Sequence, residues 1–183
     1  MTRSLRLLYL ALLLIACGLQ VAFGEPLHRL WTQPGRWTEG GLPLDLALGV
    51  GLGLATVGLN RLTSRHFRWA QATDAQFRDM LAPVEARDVF SFAALSALAE
   101  EALFRGFLQP RFGLVATSVA FGLAHLPQRR SLVPWTVAAV IMGFAFGALY
   151  DLRGSLVAPV VAHFLINYIN LHHLLRPRTP EEA

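Results

Sequence analysis

The 183-residue chain has few charged residues and no lysine. Its charged fraction of 15% lies well below the roughly 25% that is usual in soluble domains, whereas 54% of the residues are hydrophobic. This balance predicts an integral membrane protein. Because all sixteen basic residues are arginine, the composition also favours a GC-rich bacterial genome.

Cysteine is nearly absent as well. With Cys17 alone, the chain can form no disulfide within itself and no metal site built from several cysteines. The net charge of +4 does not predict nucleic-acid binding, because the arginines are spread over short loops instead of one face.

Long apolar runs are what the sequence does contain. A transmembrane helix needs about 20 apolar residues, and six segments approach this length: 5–23, 42–61, 88–110, 112–127, 133–151 and 155–175. Pro110 and Gly113 predict the turn between the third and fourth segments. Residues 62–87 are polar and are expected to form a cytoplasmic loop or an amphipathic helix on the membrane surface. The prediction is an all-α, polytopic transmembrane helix bundle of about six spans, in one integral membrane domain, 1–183.

The arginines predict the orientation. With the N-terminus in the cytoplasm, eleven arginines fall on the inner side, and four fall on the outer side: Arg29, Arg36, Arg111 and Arg153. This positive-inside bias favours a cytoplasmic N-terminus in a bacterial inner membrane.

The first span has a second interpretation. Residues 1–16 resemble a lipoprotein signal that would be cleaved before Cys17. A cleaved signal is usually followed by a polar segment, whereas this chain continues "GLQVAF". A retained helix is therefore favoured, and cleavage stays open.

Three charged residues interrupt the third span, in the stretch "EEALFR". Glu101 and Arg105 are four residues apart, so they share a helix face and are expected to pair. Glu100 points about 100° away and is neutralised less well by that pair. A purely structural ion cluster is the alternative. Asp45 lies near the outer end of the second span, where it is expected to snorkel or to be solvated.

Other polar side chains lie on other spans. His125 follows the stretch "FGLA", and His163 and Asn167 share one face of the sixth span. Buried polar groups need partners in a membrane, so these side chains are expected to converge on one wet cavity. Gly143 and Gly147 form a small-residue face, which predicts ordinary helix packing.

These stretches resemble the conserved motifs of a known family. "EEALFR", "FGLAH" and "HFLIN" match the EExxxR, FxxxH and HxxxN motifs of the CPBP family, in order, within a core of about residues 88–170. This family contains type 2 CAAX prenyl endopeptidases and bacteriocin-processing proteins, also known as abortive-infection proteins. Some prokaryotic members resemble sorting-tag peptidases such as myxosortases.

The resemblance implies an intramembrane glutamic peptidase. Glu100 would be the general base that activates water, with help from His125. His163 and Asn167 would bind the oxyanion, and Glu101 and Arg105 would support the site. The substrate would be a membrane protein or peptide in the bilayer, and no cofactor is expected.

Two alternatives remain. A glutamate and two histidines could bind zinc and leave a position open for water, but there is no HExxH sequence and asparagine is an unusual zinc ligand. A non-catalytic scaffold or immunity protein would use the same cavity to bind a partner helix. The sequence does not indicate the substrate or the oligomeric state.

Overall fold

The chain is almost entirely helical over the ranges that the computed structural model describes, residues 2–33, 40–126 and 129–176. The α-helices within these ranges are α1 (Thr2–Ala22), α2 (Gly41–His66), α3 (Arg68–Leu81), α4 (Val89–Glu101), α5 (Gln109–Ala124), α6 (Val133–Arg153) and α7 (Val157–Leu175). A π-helical segment, Ala102–Leu108, joins α4 to α5. Short 3-10 turns lie at Leu27–Leu30, Ala86–Asp88 and Arg130–Leu132. The predicted all-α class is confirmed.

The predicted number of about six spans is roughly consistent with the helices. Four of the described segments are long and apolar enough to cross a membrane: Arg3–Ala22, Gly41–His66, Ala86–Ala124 and Arg130–Arg153. The 39-residue segment Ala86–Ala124 covers two predicted spans. Helix α7 covers the sixth predicted span but is not among these four segments.

Contacts between helices show that consecutive spans alternate in direction. Helices α1 and α4 are parallel, since Arg6 pairs with Asp88 near their starts and the Phe23 ring meets Phe107 further along both.

Some of the predictions fall outside the described residues. They concern residue 127 of the fourth predicted span and two of the arginines used to predict the orientation, Arg36 and Arg178.

Helices α4 and α7 form the antiparallel centre of the bundle. Ser96 contacts Asn167, and one turn further along α4, Glu101 contacts His163. Helix α2 packs along the opposite side of α7, where a side chain at Gly49 would lie 2.6 Å from the Ala158 carbonyl oxygen. The absence of a side chain at that position therefore lets the two backbones approach closely.

The turn between the third and fourth spans lies at Gly113. Its φ of 79° and ψ of 168° break the helix, in a region that favours glycine because it has no Cβ. The chain then folds back as a hairpin, so that Phe104 packs on Phe121 with ring centroids 5.0 Å apart. Glu100 lies thirteen residues before Gly113 and His125 twelve residues after it, so the hairpin brings the two side chains level with each other.

The polar region 62–87 contains more helix than a loop would. Helix α2 continues to His66, and α3 follows as a separate amphipathic helix. Helix α3 crosses the start of α6 and the end of α7: the Phe77 ring packs on Trp135, and Arg78 donates to the Leu174 carbonyl oxygen at 2.7 Å. Its position on the membrane surface stays a prediction.

The expectation that Asp45 is solvated is wrong. Its side chain is fully buried and pairs with Arg153 at the end of α6. A charge at the end of a span can avoid burial by reaching solvent, but here a partner on another helix compensates the charge inside the protein. Nearby, Thr32 forms a bridge with Ser155, so the loop after α1 covers this end of the bundle.

Candidate active site

Three titratable side chains from three helices meet inside the bundle. The Glu100 Oε2 atom lies 3.6 Å from Nε2 of His125 and 3.9 Å from Nε2 of His163. The Glu100 side chain is 10% exposed, and no described residue donates a hydrogen bond to its buried Oε2 atom. Separations slightly longer than a hydrogen bond suit polar groups that share a water molecule.

The end of α5 sets the orientation of His125. The helix ends at Ala124, and His125 leaves it with a φ of −103° and a ψ of 28°. Its Nδ1 lies 2.7 Å from the Phe121 carbonyl oxygen. Because a carbonyl oxygen only accepts hydrogen bonds, Nδ1 carries the proton and Nε2 faces Glu100 as an acceptor when the ring is neutral.

A second carboxylate orients His163. Its Nδ1 lies 2.8 Å from Glu101 Oε1, and the same oxygen accepts a hydrogen bond of 3.1 Å from Arg105. The imidazole also stacks on the Phe146 ring, with centroids 5.1 Å apart. The predicted pairing of Glu101 with Arg105 is thus present. It fixes the position of Glu101, whose carboxylate orients the His163 ring toward Glu100.

Arg105 is fully buried in a cage of aromatic rings. Its guanidinium carbon lies 4.3 Å from the Phe121 ring centroid and 5.4 Å from that of Phe146. It also donates to the Gly143 carbonyl oxygen at 3.2 Å. Cation–π contacts are stronger away from water, so the charge of Arg105 is compensated on several sides.

The segment that contains this site is similar to a known family. Residues 83–169 match the sequence profile of the Rce1-like family, described as type II CAAX prenyl endopeptidase. This segment of the chain is thus similar to that family, and all six predicted site residues lie within it. The resemblance and the apolar helices together support an integral membrane protein.

One curated relative of the chain is an uncharacterised protein, YpbD, of Bacillus subtilis (strain 168). The two are 35% identical over 96 residues, which cover 49% of this chain and 49% of YpbD. The chain therefore matches about half the length of this relative. No solved structure matches the chain.

The sequence does not reveal the π-helical segment, Ala102–Leu108, that follows Glu100 and Glu101. One-turn π segments inside α-helices occur frequently at functional sites. Here the segment brings Gly106 against the loop after α1, where an added Cβ would lie 2.5 Å from the Leu30 carbonyl oxygen. Arg105 lies within the same segment. The π-helical segment therefore positions both the Arg105 guanidinium and the close contact between Gly106 and Leu30.

The role implied for Asn167 is to bind the oxyanion, whereas the contact that its side chain makes is with Ser96. Its Nδ2 atom donates to Ser96 Oγ at 3.0 Å, and Ser96 in turn donates to the Ala93 carbonyl oxygen. Asn167 lies one helical turn beyond His163 on α7. Ser96 has the same spacing from Glu100 on α4, a signal at i and i+4 that sequence reasoning missed.

Tyr9 is a second residue that sequence reasoning missed. It belongs to α1, far from the motifs in sequence, and its ring meets the edge of Phe92 on α4, with centroids 5.5 Å apart. No local pattern in the sequence marks it, because the contact depends on how α1 packs against α4.

Gly143 explains how α5 and α6 approach each other beside Arg105. A Cβ at Gly143 would lie 2.9 Å from the Ser118 carbonyl oxygen. We expect Gly143→Ala to destabilise the protein by about 1–3 kcal/mol, the usual cost of overpacking, measured as a lower melting temperature in detergent.

Gly51→Ala is the matched control, because nothing lies within 4 Å of an added Cβ at that helical position. It should leave the stability unchanged or raise it by about 0.5–1 kcal/mol. Equal melting temperatures for Gly143→Ala and the wild type would show that the two helices tolerate a wider spacing.

Proposed function

We propose that this protein is an intramembrane glutamic peptidase in which Glu100 removes a proton from the water that attacks a peptide bond. The observation that carries the proposal is the position of Glu100 Oε2, buried and facing the Nε2 atoms of His125 and His163. A carboxylate and two imidazoles around one small volume can bind a water and accept its proton.

His125 would hold that water together with Glu100. With Nδ1 donating to the Phe121 carbonyl oxygen, its Nε2 accepts one hydrogen of the water while the carboxylate accepts the other. The oxygen lone pair is then directed at the substrate carbonyl. As the new C–O bond forms, Glu100 takes the proton, which it later gives to the leaving amine as the C–N bond breaks.

His163 and Asn167 would bind the oxyanion. Glu101 holds Nδ1 of His163, and Nε2 donates to the oxyanion when the ring carries both protons. The Asn167 amide nitrogen carries two N–H donors, so one can bind Ser96 while the other binds the substrate oxygen. Each such donor typically contributes about 3–4 kcal/mol of transition-state stabilisation.

We propose that the reaction needs no metal. In the described part of the chain, no three side chains of the metal-binding types are grouped as a metal site requires. We expect the purified protein to keep its activity in excess 1,10-phenanthroline, with a known zinc protease in the same detergent as the sensitive control. Loss of activity that added zinc restores would favour the zinc mechanism instead.

The proposed substrate is a membrane protein or peptide from which a C-terminal sorting tag or a leader is removed, in a bacterial inner membrane with the N-terminus of the enzyme in the cytoplasm. The test compares the membrane proteomes of cells that carry the wild type or Glu100→Ala. We expect a small set of proteins to keep a hydrophobic tail or leader only in the variant. Identical termini in both proteomes would contradict the proposal.

A further inference from the structure

We propose that Ser96 is a positioning residue of this site, whose hydroxyl fixes the Asn167 side-chain amide in the orientation that leaves one N–H for the oxyanion. This inference rests on the function proposed above, in which Asn167 binds the substrate oxygen. It assigns a role to a buried residue of α4 that lies outside the three sequence motifs.

The antiparallel packing of α4 and α7 places two polar contacts about one helical turn apart. Glu101 Oε1 lies 2.8 Å from Nδ1 of His163, and Ser96 Oγ accepts a hydrogen bond of 3.0 Å from Nδ2 of Asn167. Each of the two side chains proposed to bind the oxyanion is thus held by one residue of α4. Ser96 has the same relation to Asn167 that Glu101 has to His163.

The hydroxyl of Ser96 selects one end of the Asn167 amide. It donates its hydrogen to the Ala93 carbonyl oxygen at 3.2 Å, and a carbonyl oxygen can only accept. The Ser96 oxygen therefore presents a lone pair to α7, with which the NH2 group of Asn167 can bond and its carbonyl oxygen cannot. Because an asparagine amide has two N–H donors, the one that does not bind Ser96 is left for the substrate.

The surroundings of Ser96 favour this role over packing alone. Ser96 is 1% exposed, and the buried residues around it on α4 are alanines, at positions 93, 97 and 99. An alanine at position 96 would fill the helix interface without a polar group that needs a partner. Asn167 is half-buried, so a substrate can reach it, whereas Ser96 acts through the asparagine.

The kinetic experiment measures kcat and KM separately for peptide cleavage in detergent. We expect Ser96→Ala to lower kcat about tenfold, the change that one hydrogen bond implies, with KM within about twofold because the contacts that bind the substrate in its ground state are unchanged. In an Asn167→Ala background, Ser96→Ala should change kcat by less than about twofold, because no amide is left to position.

Ser91→Ala is the matched control. Ser91 lies on the same helix and donates to the Asp88 carbonyl oxygen, three residues back, at 3.0 Å. It therefore makes the same kind of backbone hydrogen bond as Ser96, and its variant should keep the wild-type kcat.

The kinetic outcomes separate the inference from the function on which it rests. Wild-type kcat in Ser96→Ala, beside an impaired Asn167→Ala enzyme, would overturn the inference and leave the proposed function intact. An equal loss from Ser96→Ala with and without Asn167 would overturn it too. Wild-type kcat in Asn167→Ala would remove that residue from the proposed function.

A spectroscopic measurement tests the positioning without a cleavage assay. The chain contains three asparagines, Asn60, Asn167 and Asn170, so labelling with ¹⁵N-asparagine gives three pairs of side-chain N–H signals in NMR spectra. The pair that is missing in Asn167→Ala belongs to Asn167. We expect Ser96→Ala to shift that pair and Ser91→Ala to leave it in place. An Asn167 pair at the same position in Ser96→Ala and the wild type would show that Ser96 does not hold the amide.

Discussion

Replacing Glu100 by glutamine is expected to lower the rate of peptide cleavage by about 10²–10⁴-fold, the usual contribution of a general base. Glutamine keeps the size of the side chain but cannot accept the proton of water. Because the Oε2 position faces two imidazoles at 3.6 and 3.9 Å, no nearby carboxylate would replace it: Glu101 is bound to His163 and Arg105. The measurement is kcat/KM with a substrate found by comparing membrane proteomes.

Glu85→Gln is the matched control. Glu85 pairs with Arg87 at the surface, and its side chain is 61% exposed, so this variant should cleave at the wild-type rate. A fully active Glu100→Gln enzyme would rule out Glu100 as the base. If the wild type cleaves nothing, while both it and Glu100→Gln bind the same partner, the chain is a scaffold.

The second large effect is expected for Arg105→Met, which should destabilise the protein by about 3–5 kcal/mol. The substitution leaves the buried Glu101 carboxylate without its cation and removes a donor to the Gly143 carbonyl oxygen. For a chain of this size, that loss lowers the melting temperature by roughly 10 °C. Thermal unfolding in detergent, followed by circular dichroism, measures it.

Two variants make the Arg105 result specific. In Glu101→Gln/Arg105→Met, both charges are removed, so part of the lost stability should return. Arg111→Met removes a guanidinium that also lies over a ring, 4.0 Å from the Phe107 centroid, but Arg111 is only partly buried and should cost about 1 kcal/mol or less. An Arg105→Met protein as stable as the wild type would show that the buried pair contributes little.

The contact between Glu100 and His125 shows how much of the site local sequence patterns can predict. Their positions on two spans, and Gly113 between them, were predictable from hydropathy and motif spacing. A hairpin was predictable too, but not the distance between the two side chains. That distance depends on where the chain reverses, and the φ of 79° at Gly113 puts both residues at the same depth.

Asp45 illustrates the opposite case, since its sequence context suggested solvation and its partner Arg153 lies 108 positions away. Ser96 lies four residues before Glu100, but nothing in the surrounding sequence indicates Asn167 as its partner. Their contacts are made across helices, and the side chains facing each other across a helix interface are chosen by packing and not by neighbours in the chain.

The sequence by itself determined the all-α membrane class, the order of the motif residues and the pairing of Glu101 with Arg105. All of these depend on hydrophobic length or on helical spacing, which act within one segment. Only the tertiary structure decided that Glu100 faces His125 and His163, that Asn167 binds Ser96 and that α1 packs against α4. Those relations require separate helices to pack against one another, and the free energy of that packing is not encoded in any single span.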